Sequence, residues 1–467
     1  MSTKIMNDIQ KIIGPDYIRP KPEVILTLND IINRNQSPVD LIQHTLDKMK
    51  TDAEKFNSYI TIIKDEALRH AEKLEEHIKR GIPTGPLSGL PIAVKDNIFT
   101  KGIRTTIASK IFREFYPNYN ATVINKLLEA DAIIVGKNNL HAFASGVSNL
   151  VSEFGPTRNP LDTERITGGS SGGSASSVAF GSVPISLGTD TVGSVRVPAS
   201  FCGVIGYKPS NGLVSRYGLF PTAWSLDTIG VLSKTVLDVA LISYFIMGYD
   251  ENDSSTVNIP RINIDNVAQG VEPRRITLGI LVQESQTEVE KEFLDNVVSK
   301  LDSEGFKTER VNFDIETSHK ITTTIRLAEA AAFHKDLFMS REDDYPRDVA
   351  ELIRNGMSIP AHEYIQSMIS RKYLISDFLR LFNHVDAVIT PTVPILPPKT
   401  NEIMGKELDY RRTIIKYTGF VNLLGFPAIS IPSVKLSGLP IGLQIIGKIY
   451  HDEALLKIAK TVENISW

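Results

Sequence analysis

The chain has 467 residues, 42% of them apolar and 22% charged, a composition that supports a large buried core and excludes collagen-like and wholly disordered classes. Its 51 Lys and Arg residues nearly balance its 54 Asp and Glu residues, and the net charge of -3 provides no overall field that favours nucleic acid or an acidic membrane. The single cysteine, Cys202, excludes an intramolecular disulfide and a cysteine-rich zinc site, and a cytoplasmic location is expected.

The sequence predicts neither a signal peptide nor a membrane anchor. The first 14 residues lack the continuous apolar stretch of a secretory signal. The most apolar stretch of the chain, residues 235–248, is interrupted by Asp238 and is shorter than the ~20 residues that a bilayer crossing needs. We therefore expect no membrane span.

Residues 1–80 predict an N-terminal helical segment that packs on the rest of the protein. Ser37 and Pro38 match the N-cap and the first-turn proline of a helix with one apolar stripe. A strand-like run follows at 59–63, and residues 65–80, which are rich in Glu and Lys, predict a second helix with one solvated face.

Past residue 81 the sequence alternates between apolar runs and helical patterns, which predicts one α/β unit over residues 81–467. The apolar runs are of strand length and lie at 91–94, 132–135, 184–187, 204–207, 276–282, 387–389, 428–431 and 441–446. Helical patterns between several of them indicate a large sheet covered by helices on both faces, a three-layer α/β/α arrangement. Residues 250–275 are polar and aperiodic and predict a surface excursion.

The segment ITGGSSGGSASS at residues 166–177 is the most unusual local feature. So many glycines cost backbone entropy unless a particular backbone path or a close ligand requires them. A phosphate cradle is a weak explanation because the P-loop pattern places Lys after its last glycine, and a flexible linker is the purely structural one. Ser171 is also the central serine of a GxSxG elbow, as in α/β-hydrolases, with His384 or His451 as its base.

A second Ser/Gly segment, residues 187–203, places Ser194 at a predicted strand-to-helix junction. A serine there is either a simple helix N-cap or a nucleophile whose reacting carbonyl oxygen is held by nearby backbone N–H groups. A nucleophilic serine needs a base, and the histidine nearest in sequence is His141. Lys95, at the end of an apolar strand, is another candidate base, because burial suppresses the charge of a lysine. Together these segments favour serine chemistry run by a lysine.

These segments resemble the amidase signature family. The sequence LPIAVKDN, the run GGSSGGSAS and the segment DTVGSVRVPASFCGVIGYKPS look like the hallmark segments of that family, in its order Lys, Ser, Ser. The spacings, 75 residues from Lys95 to Ser170 and 24 from Ser170 to Ser194, agree as well. The similarity is strong over about residues 85–235 and returns at 438–448, GLPIGLQIIGK.

The resemblance implies a mixed central sheet and an amidase that hydrolyses a carboxylic amide to the acid and ammonia or an amine. It implies that Ser194 is the nucleophile that forms an acyl-enzyme. Ser170, which follows a cis peptide bond from Gly169, relays the proton, and Lys95 is the terminal base. Neither a metal nor an organic cofactor is implied.

The same resemblance assigns supporting roles around the two serines. The backbone N–H groups of an oxyanion hole come from Thr191, Val192, Gly193 and Ser194. Asp190 and Arg196 fix this loop, and Ser171 supplies a supporting hydrogen bond.

Two positions depart from the family pattern. Val192 stands where many members have glycine, so the loop must hold a conformation with φ below zero at this residue. The segment LHAFASG at 140–146 stands where glutamine-using tRNA amidotransferase subunits carry an acidic residue and a glutamate before the Phe. This second departure disfavours glutamine as the substrate.

Amide hydrolysis of a small molecule is the main interpretation, with no nucleic-acid partner, no membrane, and room for a homodimer. One alternative is the glutaminase A subunit of a glutamyl/aspartyl-tRNA amidotransferase, which requires partner subunits and a route for ammonia. Another is a catalytically silent binding subunit of the same fold. Cys202 is predicted to be a buried structural thiol, His141 a structural histidine, and residues 390–399 a rigid proline-rich loop near the sheet edge.

Overall fold

A sheet of eleven strands runs through the computed structural model, which describes residues 22–283 and 286–467. Its strands are β1 (Tyr59–Ile62), β2 (Pro91–Lys95), β3 (Ile133–Asn138), β4 (Ile185–Asp190), β5 (Ile205–Lys208), β6 (Thr228–Ser233), β7 (Thr277–Leu281), β8 (Lys307–Val311), β9 (Ala387–Pro391), β10 (Ala428–Leu436) and β11 (Leu439–Ile446). The spatial order is β1-β3-β2-β4-β6-β5-β10-β11-β9-β7-β8. β2 is parallel to β3 and β4, and β7 is parallel to β8 and β9, whereas the other neighbours are antiparallel. The predicted mixed sheet is confirmed.

Both faces of the sheet are covered, because successive residues of a strand point to opposite sides. Along β2, Ile92 and Val94 belong to one apolar cluster and Ala93 to another. The described helices are α1 (Glu23–Ile32), α2 (Pro38–Phe56), α3 (Lys64–Lys79), α4 (Thr122–Glu129), α5 (Gly172–Phe180), α6 (Arg196–Cys202), α7 (Val236–Ile246), α8 (Ile264–Gln269), α9 (Glu288–Ser303), α10 (Ile315–Arg341), α11 (Arg347–Met357), α12 (Ala361–Leu381), α13 (Thr400–Ile403), α14 (Glu407–Ile414), α15 (Gly419–Leu424) and α16 (Asp452–Glu463). The α/β fold with helices on both faces is therefore confirmed.

The N-terminal helices form as their sequence predicts. The Ser37 hydroxyl accepts the N–H of Asp40 at 3.2 Å, which caps α2. Apolar side chains of α2 and α3, among them Ile42 and Leu74, pack in the cluster that contains Ala93 of the sheet. The first 21 residues, including the stretch judged for a signal peptide, lie outside the described residues. The boundary at residue 80 stays a prediction.

Residues 250–275 differ from the expected surface excursion. They contain the helix α8, and its Ile264 and Val267 are buried in the main apolar cluster. The aperiodic sequence hid this helix because it is only six residues long. Within the described residues, no helix has both the length and the apolar character that a bilayer crossing requires.

The sheet brings the predicted functional segments together. β2 and β4 are parallel neighbours, with Val94 aligned to Leu187. Because parallel strands end at the same edge of a sheet, Lys95 at the end of β2 lies near Thr189 and Asp190 at the end of β4.

Candidate active site

Lys95 is fully buried, and its amine lies within hydrogen-bonding distance of a serine. Its Nζ donates to Ser170 Oγ at 2.8 Å and to Thr189 Oγ1 at 2.8 Å. Burial lowers the pKa of Lys95 to about 7, and the negative charges of Asp190 and Asp227 oppose part of that shift. Near neutral pH a large fraction of this amine is therefore unprotonated and can accept a proton.

The Ser/Gly segment forms a rigid turn that leads into α5. The peptide bond between Gly169 and Ser170 is cis, as the resemblance implies. The Ser170 carbonyl accepts the N–H of His141 at 3.1 Å, and the N–H of Ser171 donates to the Ser194 carbonyl at 3.1 Å. A Cβ on Gly173 would lie 2.4 Å from the Asn139 carbonyl oxygen, so this glycine is needed for close packing. The segment is thus a built structure and not a flexible linker.

The Ser194 loop is held by the side chain of Asp190. Asp190 Oδ1 accepts the N–H of Gly193 at 2.7 Å, and Oδ2 accepts that of Val195 at 3.1 Å. Although burial alone would raise it, the charge and hydrogen bonds of Arg196 lower the pKa of Asp190 to about 2. Ser194 itself is 5% exposed, and its hydroxyl makes no hydrogen bond with a described residue. The structure therefore joins Lys95 to Ser170 and leaves the Ser194 hydroxyl without a hydrogen-bond partner among the described residues.

The backbone N–H groups of this loop are not equivalent. That of Gly193 is already committed to Asp190. Those of Thr191, Val192 and Ser194 have no intramolecular acceptor among the described residues. In this loop φ is positive only at Gly193, where it is +127°, so Val192 takes an ordinary conformation. The valine departure is therefore compatible with an oxyanion hole in which Gly193 is a support and not a donor.

Arg196 ties the loop to the distant C-terminal part of the chain. Its fully buried guanidinium pairs with Asp190 at 3.0 Å and donates to Gln444 Oε1 at 2.7 Å and Asn422 Oδ1 at 2.5 Å. The Thr418 hydroxyl donates to the Val192 carbonyl at 2.7 Å. Sequence reasoning missed the last three partners, because only the fold places residues 418–444 beside the serine loop.

Thr189 and Asp227 were also missed. Thr189 precedes Asp190 on β4, so the register of two parallel strands could have indicated its proximity to Lys95. The Thr191 hydroxyl donates to Asp227 Oδ1 at 2.6 Å. Burial raises the pKa of Asp227 to about 6, and hydrogen bonds from Thr191 and the backbone of Thr222 oppose this effect.

The nucleophile-elbow alternative finds no support in the geometry. The Ser171 hydroxyl is fully buried, donates to the Thr189 carbonyl at 3.1 Å and accepts the Thr189 N–H at 3.2 Å. His384 and His451 are exposed, and neither makes a hydrogen bond with Ser171.

The remaining candidates take structural positions. Burial raises the pKa of the Cys202 thiol, which contacts the Thr167 carbonyl at 3.6 Å. His141 Nε2 pairs with Asp348 at 2.8 Å. The proline-rich loop at 390–399 packs on the Ser/Gly segment, because the carbonyl of its Pro398 accepts a backbone N–H at 3.1 Å. No group of three or more potential metal ligands is present in the described parts of the chain.

The site combines a buried lysine of lowered pKa, a serine that is hydrogen-bonded to it, and a second serine in a loop whose backbone N–H groups have no acceptor among the described residues. This combination defines the protein as a hydrolase that acts on amide C–N bonds. The chain belongs to the amidase family, whose model matches residues 40–456, so it is an enzyme and not a silent binding protein.

The similar proteins include components of a larger enzyme. The A subunit of the glutamyl-tRNA(Gln) amidotransferase of Natranaerobius thermophilus is 37% identical, with 92% of each chain covered. The crystal structure of the corresponding protein from Thermotoga maritima has a TM-score of 0.79 at 36% identity, also with 92% of each chain covered. A structure described as a vestigial complex that reveals the origins of an s-triazine catabolic enzyme has a TM-score of 0.88 at 29% identity, over 94% of this chain and 98% of that one.

These relatives overturn one expectation from the sequence. The sequence favoured an enzyme with no nucleic-acid partner and a possible homodimer, and the balanced charge was the argument against nucleic acid. The relatives are named as subunits of an amidotransferase for glutamyl-tRNA(Gln), so that expectation is wrong. Net charge fails here because it averages the whole surface, whereas partners bind local patches.

Proposed function

We propose that this chain is the glutamine-hydrolysing A subunit of a tRNA-dependent amidotransferase, which releases ammonia and works with partner subunits. The observation that carries the proposal is the 37% identity to a protein of that name over nine-tenths of both chains. An identity of this size over the whole length indicates more than a shared fold, and a shared fold alone does not define a substrate.

In the proposed reaction Ser194 Oγ attacks the carboxamide carbon. Its proton passes to Ser170, whose own proton passes to the neutral amine of Lys95 along the 2.8 Å contact. The developing oxyanion accepts hydrogen bonds from the N–H groups of Thr191, Val192 and Ser194, which need no rearrangement because none of them has an acceptor among the described residues. The proton returns along the same relay to the leaving nitrogen, and ammonia departs.

The acyl-enzyme is an ester on Ser194, and water completes the reaction. Lys95, neutral again, accepts the proton of that water through Ser170. The water oxygen bonds to the acyl carbon, the ester C–O bond breaks, and the proton returns to Ser194. Asp190 and Arg196 support this sequence by holding the loop, since their contacts reach the backbone of Gly193 and Val195 and not the reacting atoms.

A second candidate is hydrolysis of a different small carboxamide. The observation that favours it is the segment at 140–142, where Leu140 and Ala142 are fully buried and His141 is paired with Asp348. No acidic side chain stands at these positions, unlike in glutamine-using subunits.

The experiment measures ammonia released from glutamine and from a panel of aliphatic and aromatic amides. The chain is assayed alone and after co-expression with the other subunits encoded by its source organism. Glutamine hydrolysis that depends on those subunits supports the first proposal. Turnover of simple amides with no response to glutamine under either condition refutes it and supports the second candidate. Labelling of Ser194 by a fluorophosphonate reports the nucleophile in both cases.

A further inference from the structure

Arg326, on α10, is a buried cation. It is 4% exposed, yet its guanidinium makes no hydrogen bond and no ion pair with any described residue. Its guanidinium is not completely enclosed by protein atoms, so it still faces accessible space. An uncompensated buried charge is costly, and this cost falls when an anion binds.

One end of the α10 face that carries Arg326 lies against the serine loop. Thr322 precedes Arg326 by one helical turn, about 6 Å along the axis. Its methyl carbon is 3.9 Å from the Cβ position of Gly419. The adjacent Thr418 donates to the carbonyl of Val192 in the proposed oxyanion loop.

The other end of this face lies against residues 143–145. His334, about 12 Å further along α10, packs on Phe143 with ring centroids 5.2 Å apart. The guanidinium of Arg411 donates to the Ser145 carbonyl. Arg326 therefore lies on α10 between the turn that packs near the serine loop and the turn that packs on residues 143–145.

The charge that acts on Arg326 is that of a second arginine. Burial and the like charge of Arg411 lower the pKa of Arg326. The acidic neighbours are committed elsewhere: Glu329 accepts the Ser225 N–H at 3.0 Å and the Tyr364 hydroxyl at 3.0 Å. Asp348 pairs with the imidazole of His141, although the charge of Asp348 also acts on Arg411.

We propose that Arg326, with Arg411 beside it, binds a carboxylate at the far end of the substrate acyl group and thereby sets specificity. A guanidinium presents paired N–H donors that match the two oxygens of a carboxylate. This inference rests on the proposed function, since glutamine is one amide with such a carboxylate. It adds the residue that selects acyl groups bearing a carboxylate over neutral ones.

The test measures binding, so it needs neither turnover nor partner subunits. In a Ser194→Ala background, calorimetry measures the Kd of glutaramate, a five-carbon amide with a terminal carboxylate, and of pentanamide, its neutral counterpart. We expect glutaramate to bind at least tenfold more tightly. Adding Arg326→Gln should abolish that preference and leave pentanamide binding unchanged, and Arg326→Lys should retain part of it.

Arg412→Gln is the matched control. It removes the same charge from the residue next to Arg411, where the guanidinium is exposed and paired with Glu316. We expect it to keep the preference. Arg412 also lines a cavity of about 640 Å³ whose lining does not include Arg326, so loss of the preference in this variant would place the carboxylate there and overturn the proposal.

The other outcomes are equally decisive. The inference is wrong if Arg326→Gln keeps the preference, if it weakens both ligands equally, or if the parent binds neither ligand. Failure of the proposed function is distinguishable from these results. A chain that binds glutaramate through Arg326 but never hydrolyses glutamine retains the carboxylate site and is not the glutaminase of an amidotransferase.

Discussion

Replacing Thr189 with Val should move the acidic limb of the pH–rate profile to lower pH. Thr189 Oγ1 accepts a hydrogen bond from Lys95 Nζ at 2.8 Å, and this bond stabilises the ammonium more than the neutral amine. A hydrogen bond to a charged group is worth about 1.5–3 kcal/mol, and one pKa unit corresponds to about 1.4 kcal/mol. The pKa of Lys95, about 7 in the intact protein, should therefore fall by roughly 1–2 units.

The sign follows from the form of Lys95 that acts as the base. Only the neutral amine accepts a proton, so kcat/KM rises as the pH passes through the Lys95 pKa. In Thr189→Val this rise should occur near pH 5–6, given the shift of roughly 1–2 units. Stopped-flow or steady-state ammonia assays between about pH 4.5 and 9 measure it, because this range contains the rise of kcat/KM expected for the intact protein and for the variant.

Thr189→Ser is the matched control because it keeps the hydroxyl. Asn97 Nδ2 also donates to Thr189 Oγ1, at 3.2 Å, and the valine variant strands this donor at a cost of about 1–3 kcal/mol of stability. Assays should therefore be run well below the Tm of the variant. An unchanged limb in Thr189→Val, or an equal shift in Thr189→Ser, would refute the assignment of Lys95 as the base.

Three further predictions test the site. Ser194→Ala should abolish ammonia release and fluorophosphonate labelling with little change in Tm, because its hydroxyl makes no hydrogen bond with a described residue; residual turnover would exclude it as the nucleophile. Ser170→Ala should slow acylation by about 100-fold or more, whereas Ser171→Ala should mainly cost about 1–2 kcal/mol of stability from its bonds to Thr189. The hypothesis that Ser171 is the nucleophile would be supported instead if Ser171→Ala were inactive and Ser170→Ala fully active. Gly193→Ala should lower both Tm and kcat, since its Cβ would lie 2.2 Å from Thr418 Oγ1. Gly102→Ala, with φ of +71° and open space, should cost stability alone, and equal losses of kcat would contradict the role of the loop.

The sequence predicted most of the strands that are buried on both faces. Each of its eight apolar runs overlaps a strand of the sheet. It missed β8, KTERV, because this strand lies at the sheet edge and is largely exposed, so it carries few apolar residues. It also missed β6, TIGVLS, although that strand is fully buried, because its apolar run is short and broken by Gly230.

The candidate site was predictable only where its residues lie in contiguous motifs. Lys95, Ser170 and Ser194 each stand in a recognisable segment, and the structure places these segments together. The contacts of Thr418 and Gln444 could not be predicted, since they depend on the order of the strands. Arg326 was missed because a lone arginine in a helix is indistinguishable in sequence from a solvated one.

The long-range contacts of Arg196 affect how the protein folds during its synthesis. Its guanidinium can pair with Asp190, six residues earlier, as soon as both residues are synthesised. Its acceptors at Asn422 and Gln444 lie 226 and 248 residues further along the chain. On the ribosome the N-terminal part emerges first, so the serine loop must wait for the last tenth of the protein. Until then the guanidinium has Asp190 but lacks its acceptors at Asn422 and Gln444, so two of the contacts that hold the serine loop are missing. The serine loop can therefore complete these contacts only when synthesis of the chain is nearly finished.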